Sequence, residues 1–167
     1  MGSMAIPKHT FITWMVILNR LPTLDRLAAW GISVEGICCN YKEEMKTRDH
    51  LFFGCSYAKG IWKQILQLCG LNREAGSWSE ELEWVVQRIK GKALISIVLR
   101  IVWKALIYFV WRERNRRLHN DLAENPKQLL DRIKEVVRIK LTGLTNIAAD
   151  DVNNQLFCSW GTVVELI

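Results

Sequence analysis

Residues 93–119 read ALISIVLRIVWKALIYFVWRERNRRLH, and the placing of this stretch decides the fold. In the first half of this stretch the polar positions are Ser96, Arg100 and Lys104, spaced every four residues. On a helix they form one narrow stripe, and the remaining surface is apolar all round. Such a helix belongs in the middle of a bundle. The stretch is nearly long enough to span a bilayer. Arg100 and Lys104 lie mid-span, however, where each charge costs about 2.5–3.5 kcal/mol. The expectation is a buried helix and no membrane partner. Like charges one turn apart repel, so a carboxylate from another segment, Glu81 or Glu83, is expected beside them.

Working outward, Pro7–Leu21 is dense in large apolar residues and reads as a helix begun by proline and ended by Pro22. Thr23 can cap a short second helix that Gly31 stops. Ile32–Phe53 lacks helical period and reads as a small irregular hairpin. Ser56 is expected to cap a helix running to Leu68, whose apolar face holds Ala58, Ile61, Trp62 and Ile65. Ser77-x-x-Glu80 is a capping box. Asn125-Pro126 opens a last helix marked by Leu129, Leu130, Ile133, Val137 and Leu141. The tail from Asp150 has weak pattern, with Leu156, Phe157 and Trp160 able to dock on the core. The fold class is therefore mostly α: a helical bundle with a small irregular Cys/His hairpin. The expected divisions are 1–6, a flexible start including an expression scar with Met4 as native start; 7–75, the Cys/His region; 76–149, a helical segment with a long basic central helix; and 150–167, a tail.

The chain has 167 residues, half of them apolar and eight of them tryptophan, which excludes a disordered polypeptide. No cleavage site follows Phe11–Leu18, and five irregularly spaced cysteines do not make a disulfide framework. A reducing compartment, nucleus or cytoplasm, is expected. The net charge is +6, and all of the excess lies in residues 100–140, which hold eleven Lys/Arg against five Asp/Glu. That segment can face an anionic partner.

Residues 38–55 read CCNYKEEMKTRDHLFFGC. His50 and Cys55 are separated by four residues, a spacing that lets both reach one zinc ion. A partner pair would be C-x-x-C. Tyr41 stands where its second cysteine is expected, and tyrosine is a poor neutral-pH ligand. Cys39, beside Cys38, is the candidate for the fourth place.

Several runs carry a resemblance. Pro7-Lys8-His9-x-Phe11, Asn19-Arg20-Leu21-Pro22-Thr23-x-Asp25-Arg26-Leu27, Trp30-Gly31-Ile32, Thr47-Arg48-Asp49-His50-Leu51-Phe52-Phe53-x-Cys55 and Ile61-Trp62 resemble the zinc-binding region that follows the reverse transcriptase in plant LINE-type retrotransposons. Trp111-Arg112-x-Arg114-Asn115-Arg116-Arg117 is similar to the tail of that region. The resemblance implies C-x-x-C, eight residues, then H-x4-C, so Cys38, His50 and Cys55 match three ligands and Tyr41 departs. The balance leans against stable zinc and toward a decayed site packed by Leu51, Phe52 and Phe53.

The resemblance also implies a non-catalytic accessory region, and no catalytic motif stands in the sequence. Arg112, Arg114, Arg116 and Arg117 are the candidate nucleic-acid contacts, because arginine forks suit phosphate oxygens. The expected function is a nucleic-acid-associated accessory module derived from a plant retrotransposon reverse transcriptase. It would bind RNA or single-stranded DNA weakly and salt-dependently. The rival is a domesticated protein-interaction adaptor with a host protein partner and neither metal nor nucleic acid.

Overall fold

A computed structural model describes residues 5–32, 47–119 and 123–162. The described elements are α1 (Pro7–Ile17), α2 (Leu24–Ala29), a π-helical turn (His50–Gly54), α3 (Ser56–Leu68), α4 (Trp78–Arg88), α5 (Leu94–His119), α6 (Pro126–Thr142) and α7 (Asp151–Ser159). No strand occurs among the described residues.

α5 is the axis. Its 26 residues span about 39 Å at 1.5 Å per residue. α1, α3, α4, α6, α7 and the π-turn all touch it. α5 is long and apolar enough to cross a membrane, and most of it is covered by these neighbours. Val98, Val102, Ala105, Leu106, Ile107 and Val110 are fully enclosed. A helix apolar on every side buries its surface only when ringed in this way.

The ring closes through an aromatic knot. Phe53 stacks on Trp103 with centroids 5.5 Å apart, and Trp62 and Trp78 meet the same indole at 5.6 and 5.8 Å. The π-turn, α3, α4 and α5 are thus joined at one point. Offset and edge contacts of this kind stabilise beyond simple area burial.

Beside the knot sits Glu81, fully buried on α4. Arg73 grips it with both guanidinium nitrogens at 2.6 and 2.8 Å. Trp62 Nε1 donates to it at 2.7 Å and the Gly76 amide at 2.8 Å. A buried carboxylate persists when its lone pairs are taken up this completely.

α4 and α6 begin with capping boxes, at Ser77/Glu80 and Asn125/Gln128. Several expectations are corrected. The N-cap of α3 is Cys55, with Ser56 as the first helical residue. The described end of the expected hairpin, from Arg48 on, is helical rather than extended. There Leu51, Phe52 and Phe53 must all face the core, and a π-turn buries three successive residues where a strand would alternate them. The tail is also more ordered than its pattern suggests. Asp150 caps α7 by accepting from the Asn153 amide at 2.8 Å, and Leu156, Phe157 and Trp160 are buried.

α1 is inverted. The residues it buries are His9, Thr13 and Val16, while Phe11, Trp14, Ile17 and Leu18 are 41–58% exposed. Thr13 Oγ1 donates to the His9 carbonyl at 2.8 Å, which makes its burial tolerable. The His9 ring stacks on Tyr108 of α5 at 4.3 Å.

Candidate metal corner and cationic groove

The π-turn carries the metal candidates. Its first residue is His50, and Cys55 follows its last. The Cys55 amide donates to the His50 carbonyl at 2.6 Å, closing the turn. The His50 amide donates to Thr47 Oγ1 at 3.1 Å. His50 Nε2 is buried with no hydrogen-bond partner among the described residues, and Cys55 is 1% exposed. An imidazole nitrogen and a thiol are both zinc-ligand types, and they stand at the two ends of this turn. No cluster of three or more ligating side chains occurs among the described residues. Cys38, Cys39 and Tyr41 lie outside the described residues. Zinc held by His50 and Cys55 with two further ligands would act structurally, adding binding free energy to folding.

The arginine cluster is mostly spent within the fold. Glu113, 2% exposed, takes Arg117 Nε at 2.7 Å and lies 3.1 Å from Arg116 Nε. Its Oε1 also accepts the Glu124 amide at 2.7 Å. Arg117 donates to the Glu124 carbonyl at 2.7 Å and lies over the Tyr57 ring. Arg114 is buried, donates to the Pro22 carbonyl at 3.2 Å and lies over Trp111. Of the four candidates, only Arg112 is exposed. A guanidinium already committed to a carboxylate or carbonyl has little fork left for phosphate. The cluster therefore ties α5 to Pro22 on one side and to the start of α6 on the other.

The stripe on α5 differs from expectation in the opposite way. Glu81 is occupied by Arg73 and Trp62, and no carboxylate among the described residues pairs with Arg100 or Lys104. Arg100 Nη2 donates instead to the Gly91 carbonyl at 2.6 Å. Lys104 Nζ reaches Thr10 Oγ1 at 3.4 Å. Burial first, and then Arg100, pull the Lys104 pKa below the usual lysine value. The two cations line a cavity of about 400 Å³ between α1 and α5, together with Ile6, His9, Ile97 and Ile101. Lys8 lies 5.2 Å over the Tyr108 ring. Burial, Lys8 and Lys140 push the His9 pKa down to about 4, so its ring is neutral at pH 7.

Sequence reasoning named Arg100 and Lys104 as a puzzle but not as a site. The usable signal was the like-charged i, i+4 pair on an apolar helix. His9 and Lys8 gave no signal, because only the docking of α1 brings them to α5.

The described N-terminal segment is thus a Cys/His-bearing unit packed on an all-α bundle. Residues 2–62 match the family model described as zinc-binding in reverse transcriptase. The match runs through α1, α2 and the π-turn into α3, and does not extend to Trp111–Arg117. Over this segment the chain is similar to that zinc-binding family. No curated protein and no solved structure matches the chain.

Proposed function

We propose that the chain is a non-catalytic nucleic-acid-associated accessory module derived from a retrotransposon reverse transcriptase of the plant LINE type, working in the nucleus or cytoplasm. The observation that carries this reading is the surface where α1 meets α5. There Arg100 and Lys104 of α5 line the cavity beside α1, Lys8 lies over Tyr108, and α1 also carries the exposed rings of Phe11 and Trp14. Thr10, which accepts from Lys104, sits one turn before Trp14 on α1. A basic track beside exposed rings is the arrangement that holds single strands, phosphates on the cations and bases on the aromatics. The proposed interface is thereby moved from Arg112, Arg114, Arg116 and Arg117 to the surface where α1 meets α5.

The test is titration of a fluorescent single-stranded RNA or DNA at increasing salt. Binding is expected at low salt and mostly lost near physiological salt. Each phosphate contact contributes roughly 0.7 to the log–log slope. Replacing Lys8, Arg100 and Lys104 with glutamine should reduce the slope by about 2. No binding at low salt overturns the reading.

A second reading is favoured by the amount of exposed apolar surface, since Ile17, Leu18, Trp30 and Ile32 are exposed as well as the two rings. It is a protein-interaction adaptor whose partner lays an apolar helix along α1. Failure of strand binding in the same titration makes this the surviving reading.

A further inference from the structure

The cavity between α1 and α5 has features that strand binding alone does not require. It is about 400 Å³, within the size range of small-molecule sites. Its floor is apolar, from Ile6, Ile97 and Ile101. Its polar lining is Arg100, Lys104 and the neutral ring of His9. α1 begins here, with Ile6 at its N-cap and no side-chain cap, so the positive end of an 11-residue helix adds to the field.

Two like charges one turn apart, one of them half-buried, repel each other and lose hydration. Elsewhere this chain answers buried charge with opposite charge, as at Glu81 with Arg73 and Glu113 with Arg117. Here the partners are a carbonyl and a distant hydroxyl, which leave most of the guanidinium and ammonium donors available. An anion entering from outside supplies what the described residues do not.

We propose that this cavity binds a phosphate monoester of about nucleotide size. The dianion lies between Arg100 and Lys104, and the planar or apolar part rests on Ile6, Ile97 and Ile101. A doubly charged phosphate matches two cations, and its several oxygens suit the arginine fork better than a single carboxylate does. The phosphate can come from a strand terminus or from a free small molecule. The proposal names the ligand class of the same cationic face, and rests on the nucleic-acid reading only for the first of these sources.

The experiment is calorimetric titration of the whole chain with phenyl phosphate, inorganic phosphate and phenylacetate in turn. Phenyl phosphate should bind saturably, and each of the other two should bind about 10-fold more weakly or worse, since each lacks one half of the fit. Arg100→Gln and Lys104→Gln should each weaken phenyl phosphate by about 10-fold or more, with melting curves confirming that both variants fold. Arg112→Gln, exposed and outside the cavity, should leave binding unchanged. Absence of saturable phenyl phosphate binding overturns the proposal, as does equal binding by the Arg100 and Lys104 variants. If strands bind while phenyl phosphate does not, the cavity proposal falls and the nucleic-acid reading stands. If phenyl phosphate saturates while no strand binds, the cavity proposal stands with a free small molecule as the source.

Discussion

Arg117 donates from Nε to Glu113 Oε1 at 2.7 Å, one helical turn back along α5. The acceptor is a carboxylate with 2% exposure, which Arg116 also approaches and which accepts the Glu124 amide. This relationship turns a basic run into an internal fastening between α5 and α6. Removing one partner of a buried pair costs about 3–5 kcal/mol, because the other charge is left uncompensated. Glu113→Gln should therefore lower the urea midpoint by an amount corresponding to about 3 kcal/mol. A change under about 0.5 kcal/mol, the size typical of an inconsequential surface substitution, would show that the pair is not structural.

Glu81 carries a comparable load at the aromatic knot. Glu81→Gln removes the charge that Arg73 grips and should cost about 3 kcal/mol or more. Trp62→Phe removes only one donor and some ring area, and should cost about 1–3 kcal/mol. The double variant should fall short of the sum, since both singles break the same contact. Strict additivity in chemical denaturation would argue that Trp62 and Glu81 act independently.

His9 sets an acid limit. Its folded pKa of about 4 lies below the ordinary value of 6.5, so the unfolded chain binds the proton more readily than the folded one. Stability from His9 is therefore fully present above about pH 6.5 and is lost as pH falls toward 4. Lys8 on α1 and Lys140 on α6 add to the penalty, and Arg100 and Lys104 of α5 line the same cavity. Each pKa unit corresponds to about 1.4 kcal/mol, so the loss is on the order of a few kcal/mol. His9→Gln should flatten the stability profile between these pH values. An unchanged acid slope in that variant would assign the loss to carboxylates instead.

Zinc is best tested by repair. Tyr41 stands where the resemblance places a cysteine, so the native chain should give up zinc to a mild chelator with little change in melting temperature. Tyr41→Cys should retain zinc more tightly and gain thermal stability, because a completed thiolate set adds folding free energy. His50→Ala in that background should cancel the gain. Equal retention by the native chain and Tyr41→Cys would show that the native ligands, with Cys39 in the fourth place, already suffice.

Trp14 separates the two functional readings. If it stacks on bases, Trp14→Ala should weaken strand binding by about 1–3 kcal/mol with little change in salt slope. Folding stability should move little, because the ring is half exposed. Loss of affinity together with loss of slope would mean that the variant had disturbed the cations rather than a stacking contact.

Much of this protein was legible in local chemistry. The Ser77 and Asn125 capping boxes, the proline starts of α1 and α6, and the all-round apolarity of α5 each act within a few residues. The family resemblance likewise rests on short runs between Pro7 and Trp62. Composition showed where the positive charge is concentrated. None of these signals depends on what packs against what.

The tertiary structure decided which charges are free. Arg112, Arg114, Arg116 and Arg117 look alike in sequence, yet Glu113, the Glu124 backbone and the Pro22 carbonyl engage three of them. Arg100 and Lys104 look like buried charges awaiting Glu81 or Glu83, yet Arg73 claims Glu81 and they line a cavity instead. It also decided which face of α1 is buried, His9, Thr13 and Val16 rather than the larger Phe11 and Trp14. An ion pair or a cavity depends on side chains dozens of residues apart meeting within a few ångströms. That meeting is fixed by how helices pack around α5, not by the spacing of residues along the chain.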